Sequence, residues 1–117
     1  MIMIQRRGGE GSAARFAPGQ LIRHVRYGYR GVVVDFDPYC TAPEDWYQSN
    51  QTQPVREQPW YHVLVNESVI TTYAAETSLD PDPSGEEIQH PLIEAFFNGF
   101  EGGRYLRNDR PWGPNPA

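Results

Sequence analysis

Short stretches of alternating hydrophobic and polar residues, each closed by a turn signal, predict a mainly β domain. The first two stretches lie within residues 16–38 and are expected to form a hairpin. Residues 21–27 can alternate between two faces, and residues 29–37 return as a second strand; the pattern does not determine which face is buried. Tyr27-Gly28 supplies a tight two-residue reversal, because glycine takes a positive φ at no steric cost. We interpret this hairpin as the folding nucleus and as the surface best suited to contact a partner.

Three further strands are predicted after the hairpin, at residues 58–65, 69–75 and, as a short last strand, 76–79. A long segment, Tyr39 to Gln58, separates the hairpin from the third strand. Loops of this length in compact domains are usually functional or disordered. We expect its Trp46-Tyr47 pair to fold back on the barrel as a plug.

Beyond a break at residues 80–85, the apolar spacing becomes helical. Pro91 is expected to begin a short helix and Gly102-Gly103 to end it. One face of that helix would carry the apolar side chains Leu92, Ile93, Phe96, Phe97 and Phe100. The complete set of elements predicts a small SH3-like five-stranded barrel with one short C-terminal helix.

Composition limits the chain to one small, turn-rich domain. It has 117 residues, 38% hydrophobic residues, a mean hydropathy of −0.65, 11 glycines and 11 prolines. We predict a disordered segment at residues 1–14, the barrel domain at 15–105 and a disordered tail at 106–117. A single cysteine, the lack of a signal-peptide pattern and the lack of a long apolar stretch predict a cytoplasmic protein that does not enter membranes.

The charge distribution makes the hairpin the candidate nucleic-acid contact, although the net charge is −5. Residues 11–34 contain four arginines and no acidic residue. Arginine and tyrosine side chains can contact phosphates and stack on bases. The alternative is that the arginines pair with nearby carboxylates such as Asp35 and Asp37. The predicted DNA-binding residues are Arg23, His24, Arg26, Tyr29 and Arg30.

No other constellation of residues indicates chemistry. His24, His62, His90 and Cys40 match no metal-ligand spacing, and no nucleophile with a readable base is present. We therefore predict a protein that is not an enzyme, with no metal and no cofactor.

Five segments give the chain a resemblance to a known family: FAPGQLIRH, GYRGVVVDFDP, QPWYHVLV, TYAAETSL and HPLIEAFFNGFEGGRYLRN. In this order they resemble the heat-shock protein HspQ/YccV family, also called the hemimethylated-DNA-binding-like domain. The last segment looks more like longer versions attached to F-box or protease-adaptor proteins.

The resemblance implies an SH3-like barrel without catalytic activity that binds hemimethylated DNA and is linked to stress-dependent protein turnover. The alternative is an adaptor or specificity factor for an ATP-dependent protease of the Clp or Lon type, or for its clients, with no direct DNA binding. Leu92, Ile93 and Phe97 are the predicted partner-binding residues for that role, and self-association through the same surface stays open.

Overall fold

The computed structural model describes residues 14–113, and its centre is a five-stranded antiparallel sheet in the order β4-β3-β2-β1-β5. A separate two-stranded sheet, β6-β7, follows in the chain. The strands are β1 Leu21–His24, β2 Arg30–Asp37, β3 Trp60–Val65, β4 Thr71–Ala75, β5 Leu79–Pro81, β6 Phe97–Glu101 and β7 Arg104–Arg107. The helices are α1 Glu44–Ser49, α2 Ile93–Phe96 and a 3-10 turn, Glu76–Ser78.

The predicted mainly β fold with a five-stranded antiparallel sheet is confirmed. The closed SH3-like barrel stays a prediction, because no ladder joins the β4 and β5 edges within residues 14–113. Among the same residues, no helix has the length and apolar character needed to cross a lipid bilayer. The segment at residues 1–13, most of the predicted N-terminal disorder, lies outside the described residues.

Both faces of the sheet are buried, which explains why Val32, Val33 and Val34 form a continuous apolar run in β2. Val32 and Val34 pack on one face, and Val33 packs on the other. The first face is covered by the C-terminal side chains Ile88, Phe96, Phe97 and Tyr105. The second face includes Phe16, Ile22, Tyr61, Val63, Ala74 and Leu79.

The predicted two-residue reversal at Tyr27-Gly28 is wrong, because β1 ends at His24 and β2 begins at Arg30. The connection is closed by His24 N–H donating to the Tyr29 carbonyl at 2.8 Å and Gly28 N–H donating to the His24 carbonyl at 2.8 Å. Gly28 does take the positive φ expected of it, +76°. The longer connection leaves Arg26 and Tyr27 in a loop rather than on a strand face.

The predicted C-terminal helix is wrong beyond Phe96, where the chain becomes the β6–β7 hairpin. Glu101 pairs with Arg104, so Gly102-Gly103 is a two-residue hairpin turn rather than a helix end. The two glycines have φ of +59° and +81°, the combination that a type I′ turn requires. Apolar residues at 96, 97 and 100 suit this hairpin because the segment packs against the sheet.

The last strand and the residues after it also differ from the sequence expectation. β7 extends through Arg107, into the segment predicted to be a disordered tail. Farther on, the Trp112 ring lies 5.2 Å from the Phe96 ring and packs on the same core.

Candidate functional site

The β1–β2 connection is organised by the His24 ring. His24 Nδ1 accepts the backbone N–H groups of Arg26 and Tyr27, both at 3.1 Å. The ring is 8% exposed and stacks on Tyr27, with centroids 4.7 Å apart. Burial and then the Arg26 charge lower the pKa of His24, so the ring is neutral at neutral pH. His24 therefore shapes the turn, while Arg26 and Tyr27 stay exposed.

Arg30 is occupied within the protein. Its Nε donates to Asp82 at 2.7 Å and its Nη2 donates to the Glu86 carbonyl at 2.6 Å. Burial opposes ionisation of Asp82, but hydrogen bonds from Arg30 and Ser84 outweigh it and hold the pKa of Asp82 below its ordinary value. Arg30 therefore joins β2 to the segment after β5. Its partner is Asp82, 52 positions along the chain, and not the nearby Asp35 or Asp37 that the local-pairing alternative named.

The five predicted DNA-binding residues do not share one surface. Arg23 and Arg30 are opposite each other in the β1–β2 ladder and so lie on one face of the sheet. His24 and Tyr29 lie toward the other face, where Tyr29 shares a 2.8 Å hydrogen bond with Thr72 and burial raises its pKa. Of the five, Arg23 and Arg26 are the two with an exposed side chain and no ion pair to residues 14–113.

A groove of about 680 Å³, which we call the β4 groove, lies along one edge of the five-stranded sheet. Its floor is formed by all five β4 residues, Thr71–Ala75. One wall is the β1–β2 connection, through His24, Tyr27 and Tyr29. The opposite wall comes from the long loop after β2, including Trp46. Sequence reasoning did not identify this groove; the Trp46-Tyr47 pair in a long polar loop was its only signal.

Arg56 holds the loop wall in place. Its Nη2 donates to the Ala42 carbonyl at 2.6 Å, and its guanidinium lies 4.8 Å from the Tyr47 ring centroid. Tyr47 in turn donates to the Pro54 carbonyl at 2.8 Å. These contacts turn Trp46 toward the sheet, 5.7 Å from Tyr73 between ring centroids. The expectation that the Trp46-Tyr47 pair folds back is confirmed, since both rings lie against Trp60 of β3; its role as a plug of a closed barrel stays a prediction.

A polar cluster supports the groove floor. Tyr73 donates to Asp37 at 2.6 Å, and His62 Nε2 lies 3.4 Å from the same Asp37 oxygen. Burial and then the hydrogen bond to Asp37 raise the pKa of Tyr73 to about 12. The phenol is therefore a neutral donor throughout the physiological range, and Asp37 places a carboxylate directly behind it. Residues 14–113 contain no group of three or more His, Cys, Asp or Glu side chains arranged to hold a metal ion.

The predicted partner-binding residues are also separated. Phe97 is 5% exposed and packs on Tyr105, with ring centroids 5.2 Å apart, which leaves it almost no surface for a partner. Leu92 and Ile93 are only partly buried at the edge of the same core. The C-terminal segment is thus mainly a cover for one face of the sheet, with two residues at its rim.

Comparisons with known proteins show the family of the chain. A family model described as "Hemimethylated DNA-binding protein YccV like" matches residues 14–104. Proteins named F-box only protein 21, from Pongo abelii, Homo sapiens and Mus musculus, are each 31% identical over 96 residues, which is 80% of this chain. The matched region spans 15% of the length of these relatives.

Proposed function

The chain belongs to the YccV-like family of hemimethylated DNA-binding proteins, and from this membership we propose that it is a non-enzymatic regulatory module that binds hemimethylated duplex DNA. The observation that carries the proposal in the structure is the β1–β2 connection. It presents the exposed guanidinium of Arg26 beside the Tyr27 ring, 5.7 Å from its centroid, with exposed Arg23 at the end of β1. Guanidinium groups suit phosphate oxygens, and an exposed tyrosine suits a sugar or base.

The charge of the protein limits its affinity for DNA and determines how that affinity depends on salt. A net charge of −5 provides no long-range attraction to DNA, so affinity must come from a few local phosphate contacts. Arg30 is excluded from these contacts because its guanidinium is hydrogen-bonded to the Asp82 carboxylate and the Glu86 carbonyl. Two available guanidinium groups would give a modest affinity whose logarithm falls with the logarithm of salt concentration with a slope near −2.

A titration of three duplexes of one sequence tests this proposal. The duplexes are unmethylated, hemimethylated and fully methylated, and affinity is measured for the whole chain at several salt concentrations. We expect the tightest binding to the hemimethylated duplex and a shallow salt slope. Negligible binding to all three near physiological salt would overturn the proposal, and equal binding would remove the methylation preference from it.

Our second proposal is that the chain is an adaptor for a Clp- or Lon-type protease, linked to stress-dependent turnover and without direct DNA binding. The partial exposure of Leu92 and Ile93 favours it, since both are apolar side chains at the rim of the domain. The double variant Leu92→Ser/Ile93→Ser should lose capture of such a protease while keeping the wild-type thermal unfolding cooperativity. Capture retained by a folded double variant would contradict a role for these residues.

A further inference from the structure

The outer edge of β4 has no strand beside it in the described chain, where β4 is the end of the five-stranded order. The hydrogen bonds at its two ends establish which backbone groups face outward. Val65 N–H donates to the Ile70 carbonyl at 3.1 Å, and Glu76 N–H donates to the Pro59 carbonyl at 2.9 Å. In an antiparallel ladder, every second residue is hydrogen-bonded to the neighbouring strand. Both bonds agree on which residues of Thr71–Ala75 are bonded to β3 and which are not.

In that pattern Thr72 and Ala74 bond to β3, and the N–H and C=O groups of Thr71, Tyr73 and Ala75 point away from the sheet. Within residues 14–113, none of these outward groups is hydrogen-bonded to another part of the backbone. Natural proteins usually cover or blunt such an edge. Here it is instead the floor of the β4 groove.

The position of the groove follows from the alternation of side chains along β4. Thr71, Tyr73 and Ala75 project to one side of the sheet, and Thr72 and Ala74 project to the other. The groove contacts residues of both sets, and Trp60 and His62 of β3 as well, so it covers part of one sheet face and extends over the strand edge. Its two walls, the Tyr27-Tyr29 side and the Trp46 side, would flank an extended chain lying on that edge.

The charges in and around the groove favour a cationic ligand. None of the described residues that line it is Arg or Lys. Of its two histidines, His24 is neutral because burial and then the Arg26 charge lower the His24 pKa, and His62 lies 3.4 Å from Asp37. The Asp37 carboxylate lies behind Tyr73, and the Trp46 ring is 36% exposed at the wall. Aromatic faces beside a carboxylate attract cations and disfavour phosphates. The groove therefore differs in chemistry from the arginines at the β1–β2 connection.

We propose that the β4 groove binds an extended peptide segment of a partner protein that carries a cationic side chain. The segment adds as a strand to the outer edge of β4, pairing with Thr71, Tyr73 and Ala75, and its cation lies against Trp46 and Tyr73. Backbone pairing supplies affinity that does not depend on sequence, and the aromatic pocket selects the cationic side chain. This site adjoins the proposed DNA contact and shares the Tyr27 ring with it, but its backbone edge and its Trp46 wall lie outside that contact.

A titration with defined peptides tests the proposal on the full chain. The probe is the blocked pentapeptide Thr-Val-Arg-Val-Thr, and binding is followed by the NMR amide shifts of Thr71, Tyr73 and Ala75. We expect binding to weaken roughly 5- to 30-fold when the peptide arginine is replaced by glutamine. N-methylation of alternate peptide nitrogens should abolish it, since this removes donors to the edge without changing the protein.

Two variants locate the site. Trp46→Ala should weaken binding of the arginine peptide to the level of the glutamine peptide. Tyr39→Ala removes a more exposed aromatic that lies outside the β4 groove, and this variant should bind as the wild type does.

Three outcomes would overturn the proposal. The first is equal binding of the arginine and glutamine peptides. The second is displacement of the peptide by duplex DNA with shifts at the same amides. The third is binding only by a chain that begins at Ala14, because residues 1–13 would then be the occupant of the groove.

Discussion

Arg107 donates from Nε to the carbonyl oxygen of Val34 at 2.7 Å and so ties the C-terminal hairpin to the centre of the five-stranded sheet. Val34 is the residue skipped in the β2–β3 register, where the pairing shifts between Val33 and Asp35. A bulge leaves its extra residue without a ladder partner. The guanidinium therefore satisfies a carbonyl that is buried in the core and outside the ladder.

Replacing Arg107 by alanine should lower the free energy of unfolding by about 1.5–3 kcal/mol, the range for hydrogen bonds to charged groups. The loss includes the contact of its guanidinium with the Phe96 ring, 5.1 Å from the centroid. Urea denaturation gives the measurement. Arg104→Ala, an exposed arginine on the same strand, is the matched control and should change stability by no more than about 0.5 kcal/mol. Equal effects of the two variants would contradict this role of Arg107.

Asp82→Asn should destabilise the protein in a pH-dependent way, because it removes the ion pair with Arg30. The Asp82 pKa is lower in the folded protein than in the unfolded chain, so its carboxylate stabilises the fold at every pH above its unfolded pKa of about 4. That contribution is lost as the pH falls through the lower folded value. We expect a loss of about 1–3 kcal/mol at pH 7 that shrinks below about pH 4.

Thermal or urea unfolding of both proteins between pH 2 and 7 measures this difference. Asp80→Asn changes an exposed carboxylate of β5 and should shift stability at pH 7 by no more than about 0.5 kcal/mol. A loss for Asp82→Asn that stays constant down to pH 2 would be inconsistent with the ion pair as its cause.

Gly19→Ala should be far more damaging than Gly28→Ala, although both glycines have positive φ, +96° and +76°. A Cβ on Gly19 would collide with the backbone carbonyl oxygen of Tyr105, whereas a Cβ on Gly28 would meet open space. The conformational strain alone is about 1–2 kcal/mol. The collision should add about 1–3 kcal/mol for Gly19. Comparison of midpoints in urea tests this, and similar midpoints would rule out close packing of β7 on Gly19.

Phe97→Ala should cost about 3–5 kcal/mol of stability, because it opens a cavity in the core shared with Tyr105. Leu92→Ala should cost clearly less, since the Leu92 side chain is only partly buried. Denaturation of the two variants measures this difference. Comparable costs for the two variants would contradict the packing of Phe97 in the core and of Leu92 at its rim.

The double variant Arg23→Gln/Arg26→Gln should flatten the salt dependence of DNA binding. Each lost phosphate contact changes the slope of log affinity against log salt by about 0.9, so the two together should remove nearly 2. Arg104→Gln changes an exposed arginine of the β6–β7 hairpin and should leave the slope unaltered. If the double variant keeps the wild-type slope, the contact surface lies elsewhere on the protein.

The positions of β1 to β4 could be predicted from the sequence because they depend on local patterns. The predicted last strand at 76–79 is mostly the 3-10 turn, and β5 begins only at Leu79. The apolar core of β2, the alternation in β3 and the turn residues between strands all act within a few positions along the chain. The C-terminal segment could not be assigned in this way. Its apolar positions fit a helical face, and Gly102-Gly103 can end a helix or reverse a hairpin. The segment forms a hairpin because its apolar side chains pack against the five-stranded sheet.

The chemistry of the surface was decided by tertiary structure. The sequence placed arginines, a histidine and tyrosines on one connection but carried no information about their partners. Arg30 is occupied by a carboxylate 52 positions away, and Tyr29 is bonded to Thr72, 43 positions away. The β4 groove likewise forms only when the Trp46 loop and the β1–β2 connection meet across one strand edge. Local patterns determine strands because hydrophobic periodicity is local, and long-range contacts determine which side chains remain available for binding.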